Sequence, residues 1–484
     1  MLALDTRPVF YVAGWILIVL AVAMLAPMVV DLAAGHGDWV VFGTSAMLTL
    51  FFGVVLILTS WTPRQTFNTR QLFLLTNLAW VLVSIFAALP FAFGVANLSP
   101  ADAFFESVAG LTTTGATVIV GLDTLPPGLL LWRCLTQWLG GIGIIGMGIA
   151  ILPFLRVGGM QLFRSESSDR SDKVLPRAAD IAVAIGWTYI ALTVFFGALL
   201  AIAGMSVFDA ICHAMSAVAT GGFANYDASM GRFDEPWIHW IVIAAMITGG
   251  LPFVRLISFA KGDYAALHRD TQIRWYLGFL AAVSLGVTAW LLLAGALEGE
   301  AALRHATFSV VSVATTTGFA SLDYTLWGPF SSALFLILMV VGGCTGSTTG
   351  GIKIFRFEIL FMVLRAQLQR QFSPSRVIPL TYQGKAVNAE VMISVMSFGF
   401  VFGALLLVTA LALSAFGLDF VTAISGSTAA YANAGPGLGT IIGPAGTFTS
   451  LPDGAKWILS WAMLLGRLEF FTMLVLLSPG FWRA

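Results

Sequence analysis

The chain has 484 residues, of which 58% are hydrophobic and only 10% charged, and its mean hydropathy is +0.91. A soluble domain carries about 25% charged residues, so this composition excludes a soluble protein and predicts an all-α, polytopic membrane protein. Lys plus Arg and Asp plus Glu balance at 24 each, so only the placement of charge is informative.

Ten spans are expected in chain order, near 10–32, 39–60, 71–94, 129–154, 179–204, 236–259, 274–297, 327–362, 388–416 and 455–478. The first apolar run follows only Arg7 and resembles a signal peptide. It is long enough to span, and a second span follows at once, so it is read as retained. Four connections hold a segment of about a dozen residues, too short to cross a bilayer. They lie between spans three and four, five and six, seven and eight, and nine and ten. Each segment ends in a turn of small residues: Thr113-Thr114-Gly115, Thr220-Gly221-Gly222, Thr316-Thr317-Gly318 and Asn433-Ala434-Gly435. The aligned glycines recur roughly one hundred residues apart, which marks an internal repeat. The chain therefore divides into two leading helices (1–65) and four units of helix, half-helix, turn and helix: 66–165, 166–262, 263–375 and 376–484. Ala103, Ala210, Ala306 and Ala423 share one register before the glycines, as expected where a short helix packs closely against its neighbours.

Lys and Arg set the orientation. One set of connections holds Arg64, Arg70, Arg156, Arg164, Arg170, Lys173, Arg177, Lys261, Arg269, Arg274, Arg365, Arg370, Arg376 and Lys385. The other set, which carries the turns, holds Arg133, Arg232, Arg304 and Lys456. It is rich in acids: Asp102, Glu106, Asp123, Asp209, Asp227, Asp234, Glu235, Glu298, Glu300, Asp323 and Asp419. The expectation is that both termini are cytoplasmic and that the turns open outward through an acidic vestibule, which concentrates cations; an ordinary solvated face is the plainer alternative.

The turns hold no nucleophile with a base, no His/Cys cluster and no phosphate-binding loop. They offer backbone carbonyls and threonine hydroxyls, which can replace the hydration shell of a potassium ion. Each half-helix directs its partially negative C-terminal end toward the membrane centre, where a cation is stabilised. Thr113, Thr220, Thr316 and Asn433 match in register and are the candidate ring of K+ ligands. The three cysteines, Cys134, Cys212 and Cys344, lack metal-ligand spacing and are expected to be small buried side chains.

TTTGA, ATGGF, TTTGF and ANAGPG, in this order and spacing, resemble the four filter segments of the Trk/Ktr/HKT superfamily of cation transporters. GGCTGSTTGGIKIFR, residues 342 to 356, is similar to the interrupted helix of that family's third repeat. The resemblance covers essentially the whole chain. The two leading helices and the length are closer to the bacterial TrkH type than to the shorter KtrB type. It implies four pseudo-symmetric repeats around one pore, a homodimer, a cytoplasmic nucleotide-binding regulatory ring of the TrkA type, a bacterial inner-membrane location and surrounding membrane lipid. Transported K+ is implied, with no organic cofactor, no enzymatic activity and no nucleic acid. Two departures make the repeat approximate. Ala116 stands where the second and third turns have Phe223 and Phe319, and the fourth turn has Asn433 and Pro436.

Five glycines between Gly342 and Gly351 should break the eighth span, since each costs a helix interior about 1 kcal/mol. With the resemblance, Gly343, Gly346, Ser347, Thr348 and Gly350 form a candidate gate; a kink for close packing is the alternative, and is the reading given to Gly140-Gly141 and Gly249-Gly250. Lys353 and Arg356 follow at the expected cytoplasmic mouth, facing lipid phosphates or a regulatory ring. Arg467 sits mid-way along the last span, where an arginine is costly. The resemblance makes it a pore-lining residue beneath the filter; a structural pair with an acid is the alternative. Glu469, two positions on, shares no helix face with it. His213 and His305 are expected to be packing or vestibule residues. The competing function is a secondary transporter of a small organic solute coupled to Na+ or H+, since glycine-broken helices mark those folds too.

Overall fold

The computed structural model describes residues 5–62, 67–150, 174–376 and 378–483. Arg64, Arg156, Arg164, Arg170 and Lys173, used above for orientation, lie outside the described residues, as do the boundaries at 65/66 and 165/166. The described chain is predominantly helical. Among the described residues, seven helices are long and apolar enough to cross a membrane: Arg7–Ala34, Trp39–Thr59, Thr69–Phe93, Pro127–Met147, Ala182–Ile202, Thr271–Leu293 and Ala389–Ala415. The protein is a multi-pass membrane protein.

The first two spans lie along each other because two glycines meet. A β-carbon on Gly14 would sit 2.7 Å from the Gly53 carbonyl oxygen, and one on Gly53 would sit 2.9 Å from that of Gly14. Small residues let helix backbones approach in lipid, where no hydrophobic force drives helices together. The third span begins with a capping box, Asn68 and Gln71 each accepting from the other's backbone N–H.

Three of the ten expected spans are not continuous helices. The eighth divides into Pro329–Val340 and Ile354–Phe372, as its glycines predict. The sixth was expected to kink at most, yet it divides into Pro236–Gly249 and Phe253–Ala260, bent by 104°. Pro252 cannot donate a helical N–H, so the helix stops before it. The tenth divides into Asp453–Arg467 and Phe471–Leu477, bent by 113°. This corrects the mid-helix placement of Arg467, which is the last residue of its helix.

The four short segments are helices Pro100–Leu111, Val207–Val218, Gly299–Ala314 and Phe420–Ala432. Ser99, Ser206 and Asp419 cap three of them, each accepting a backbone N–H of the first turn. Twelve residues of helix rise about 18 Å, against a hydrocarbon core of about 30 Å. Pro100–Leu111, Val207–Val218 and Phe420–Ala432 are almost wholly enclosed, and Gly299–Ala314 is enclosed over its C-terminal half. Ala103, Ala210, Ala306 and Ala423 are all buried, as the close-packing reading requires. The long spans instead present Leu293, Phe400 and Leu411 outward at 87%, 78% and 72% exposure, the pattern of a lipid-facing surface. The three cysteines are free and buried.

Candidate functional site

All four half-helices end in the same way. Thr113, Thr220, Thr316 and Asn433 have φ of 52°, 51°, 57° and 53°. The N–H of each bonds to a carbonyl three residues back: Gly110, Ala217, Val313 and Ala430. The next N–H reaches five residues back, from Thr114 to Ala109, Gly221 to Ser216, Thr317 to Ser312 and Ala434 to Ala429, at 2.8–2.9 Å. This is the Schellman ending, in which the left-handed position usually belongs to glycine. A β-branched residue there costs about 1–2 kcal/mol. Three threonines hold that conformation in one molecule, and such strain persists where the surroundings over-determine it, typically at functional sites.

The aligned glycines then tie the turns to one another. Gly115, Gly222, Gly318 and Gly435 have φ of 80°, 83°, 88° and 84°. A β-carbon on Gly115 would collide with the carbonyl oxygen of Gly221, and one on Gly222 with that of Thr317. On Gly318 it would lie 3.0 Å from the carbonyl oxygen of Ala434, and on Gly435 2.8 Å from that of Thr114. Each contact falls on the residue just before the next turn's glycine. First meets second, second meets third, third meets fourth and fourth meets first, so the contacts close into a cycle. The backbones approach so nearly that no side chain fits between them.

Buried side chains hold these turns from behind. Gln137 donates to the Gly221 carbonyl at 2.5 Å and accepts from Ser216 Oγ and the Phe223 N–H. Glu106 pairs with Arg133 at 2.9 Å and accepts from Thr117 Oγ1 and the Val118 N–H. Arg133 also donates to the Ala224 carbonyl and lies 4.1 Å over the Phe223 ring. Ser312 donates to the Phe319 carbonyl, and Ser425 accepts from the Leu438 N–H. Asn433 donates to Thr114 Oγ1 and to the Met463 carbonyl.

This removes several acids from the expected vestibule. Glu106 is fully enclosed, Asp209 is buried among Ser206, Asn225 and Tyr226, and Asp102 pairs with Lys456 at 2.5 Å. Of the basic residues of that face, Arg133 and Lys456 are used in these pairs and Arg304 pairs with Glu300, while Arg232 lies over the Tyr226 ring. His213 is buried against Phe233 and Phe319, while His305 bonds Ser321 Oγ.

The four matched side chains do not form one uniform ring. Thr220 Oγ1 donates to the Ala219 carbonyl and to Thr348 Oγ1, and Thr316 Oγ1 accepts from the Gly350 N–H at 2.7 Å. Asn433 is engaged as above. Thr113 Oγ1 is buried with no hydrogen-bond partner among the described residues. Two of the four thus turn toward residues 341–353, which lie against the half-helix ends.

That segment is non-helical but densely bonded. Val341 and Ile352 form a parallel bridge across its neck. The N–H groups of Cys344 and Thr348 donate to the carbonyls of Gly250 and Gly249, which are free because the sixth span breaks there. The Gly346 carbonyl accepts from the Phe253 N–H, and the Gly351 N–H donates to Ala432. Thr348 Oγ1 also reaches the Val218 carbonyl at 3.1 Å, and Thr345 N–H reaches Gln272 at 3.0 Å. Ser347 Oγ donates to the Cys344 carbonyl, and Gly343 N–H to Thr349 Oγ1. The sixth-span glycines therefore do more than allow close packing: their break supplies acceptors to this segment.

Arg467 is buried beside the segment, on a cavity of about 40 Å³ bounded also by Thr345, Ser347, Thr349, Lys353 and Glu469. Its three guanidinium nitrogens find no hydrogen-bond partner among the described residues, so no acid pairs with it there. Glu469 pairs instead with Arg356 at 2.6 Å, and Arg356 lies 3.6 Å over the Phe398 ring. Lys353 donates to the carbonyl and hydroxyl of Thr349. Lys353 and Arg356 thus face inward, which corrects their expected place at an exposed mouth.

Sequence reasoning missed the supports: Gln137, Arg133 with Glu106, and Glu469. A glutamine within an apolar span was a signal, as was the shared register of Ser216 and Ser312.

A family model described as "Cation transport protein", TrkH, matches residues 40–483. The chain belongs to the TrkH family. Its relatives include the Trk system potassium uptake protein TrkI of Halomonas elongata, 46% identical over 98% of this chain and 97% of that one. The Trk system potassium uptake protein TrkH of Escherichia coli K12 is 37% identical over 99% of each chain. The crystal structure of the potassium transporter TrkH from Vibrio parahaemolyticus superposes with a TM-score of 0.91 at 35% identity, covering 99% of each chain. TrkH proteins are transport proteins and not enzymes.

Proposed function

We propose that this chain is the ion-translocating subunit of a bacterial Trk-type potassium uptake system. Potassium passes through a filter made by four repeats, 66–165, 166–262, 263–375 and 376–484, around one pore, with 1–65 as two leading helices. The observation that carries this reading is the closed cycle of glycine-to-carbonyl contacts. Four chain segments far apart in sequence meet at one place with their backbones, and backbone carbonyls are the ligands that replace a potassium hydration shell. K+ is coordinated by the filter residues Thr113, Thr114, Gly115, Thr220, Gly221, Gly222, Thr316, Thr317, Gly318, Asn433, Ala434 and Gly435. The hydroxyls of Thr220 and Thr316 take part only when the underlying segment releases them.

Residues 341–353 are read as a gate in its closed position. The support is that they bond to the ends of the second, third and fourth half-helices, directly beneath the turns. Gly343, Gly346, Ser347, Thr348 and Gly350 allow the segment to move, and Arg467 adds positive charge beside it. The family further supports an inner-membrane homodimer with cytoplasmic termini, activated by a TrkA-type nucleotide-binding ring.

The test is rescue of potassium-uptake-deficient bacteria at low potassium, together with thallium entry into vesicles holding purified protein and no organic solute. Growth and thallium flux are expected. Flux that requires an organic solute would overturn the assignment in favour of a solute transporter.

A further inference from the structure

Arg467 ends the helix Asp453–Arg467, and its side chain lies inside the protein at 3% exposure. A guanidinium carries N–H donors on all three nitrogens and has no acceptor of its own. Here Nε, Nη1 and Nη2 all lack a hydrogen-bond partner among the described residues. A buried charge left in that condition is strongly destabilising, so buried ions are found paired or ligated. The cavity of about 40 Å³ on which Arg467 lies is the place for a ligand.

The groups around this cavity share one polarity. Lys353 donates to the carbonyl and hydroxyl of Thr349, which uses two of its three ammonium hydrogens. Thr345 Oγ1 is buried and also lacks a partner among the described residues. Ser347 Oγ is already engaged with the Cys344 carbonyl and Thr349 Oγ1. Among the described residues, Glu469 is the one acid bounding the cavity, and it is spent on Arg356 at 2.6 Å. Arg467, Lys353 and Arg356 thus meet a single carboxylate, and two positive charges stay uncompensated. Gly346 and Lys353 are half-buried, so this wall of the cavity is not sealed.

A buried water needs about 10–15 Å³ of such volume, so the cavity takes one small ion with a water and no larger organic anion. Water alone would direct its two hydrogens among groups that are themselves mostly donors. A monatomic anion accepts from each of them and cancels one charge. Opposite charges attract several times more strongly in a partly dry interior than in bulk water.

We propose that a small inorganic anion of the halide class binds in this cavity, held by Arg467, Lys353 and the Thr345 hydroxyl. The anion joins the end of Asp453–Arg467 to residues 341–353 and so holds that segment where it lies, a consequence that rests on reading the segment as a gate.

The test titrates the purified full chain with sodium chloride against sodium gluconate at constant ionic strength. Chloride and bromide are expected to raise the melting temperature saturably, and gluconate to leave it unchanged. Thr345→Val keeps the backbone N–H that bonds Gln272, and should raise the half-saturating chloride concentration about tenfold, the equivalent of one hydrogen bond to an ion. Arg467→Gln should abolish the chloride response. Crystals grown in bromide should show an anomalous peak between Arg467 and Lys353. The absence of a saturable response, or a response unchanged in both variants, overturns the site and leaves water as the occupant. In vesicles, basal rubidium flux should rise about twofold when gluconate replaces chloride in the parent, and should not respond in Arg467→Gln. Saturable stabilisation with unchanged flux upholds the site and tells against the gate.

Discussion

Two glycine-rich, non-helical regions meet in this molecule, and they are held in opposite ways. The four turns are fixed from behind by dedicated side chains, Gln137, Arg133 with Glu106, Ser312 and Ser425. Their own glycines press backbone against backbone. The segment 341–353 has fewer such supports, chiefly Gln272 and Thr316, which accept the Thr345 and Gly350 N–H groups. It is held mainly by carbonyls borrowed from the ends of other elements, Val218, Gly249, Gly250 and Ala432. A frame of buried side chains keeps one geometry, because leaving any member unpaired is costly. Bonds to helix ends can be exchanged for water as a set. The first arrangement suits a structure that must not change, the second one that must.

The largest effect should come from breaking the rigid frame. Arg133→Leu strands the Glu106 carboxylate in a dry site, which costs about 3–5 kcal/mol. Yield and melting temperature in detergent are expected to fall sharply. Adding Glu106→Gln should restore part of the loss, because the stranded charge is gone.

Next is the packing between turns. At Gly318, where φ is 88°, any β-carbon would sit 2.9 Å from Pro436 and 3.0 Å from the Ala434 oxygen. Gly318→Ser is expected to fold and to lose about tenfold in potassium-over-sodium discrimination, equivalent to about 1.4 kcal/mol. Competition between rubidium and sodium in vesicle flux reads this directly. An unchanged ratio would remove Gly318 from the filter.

The borrowed bonds should yield more gently. Thr348→Val removes a hydroxyl whose single proton lies between the Val218 and Gly249 carbonyls, at about 1 kcal/mol. Basal thallium flux without any partner protein should rise about fivefold or more, with little change in melting temperature. A folded variant that stays closed would make the segment a structural loop.

Arg467→Ala should have the smallest effect. No carboxylate accepts from the guanidinium among the described residues, so its loss strands no acid. Flux per folded molecule is expected to rise about twofold at low salt. The rise should vanish near 1 M salt, where screening acts within about 3 Å. A fall in yield without increased flux would mean that Arg467 serves the fold instead.

Repetition made much of this protein legible in its sequence. Turns that recur at one spacing, each after a segment too short to span, imply that four backbones converge, whatever the surrounding residues. The helix break at Gly342–Gly351 was legible because glycine acts locally on the backbone. The break before Pro252 was legible in principle for the same reason, since a proline withdraws its donor wherever it stands. The break after Arg467 was not. Leu468-Glu469-Phe470 contains no proline or glycine, and Glu469 has a φ of 61°. Its buried pair with Arg356, from a distant part of the chain, accompanies that conformation. Likewise Glu106 reads as an exposed acid in a list of loop charges, and only packing brings Arg133 to it. Backbone-encoded features, set by glycine, proline and helix length, were determined by the sequence alone. Which buried charges pair, and so which helix bends, was decided by the tertiary structure, because a charge in a low-dielectric interior is governed by the neighbours it meets in space.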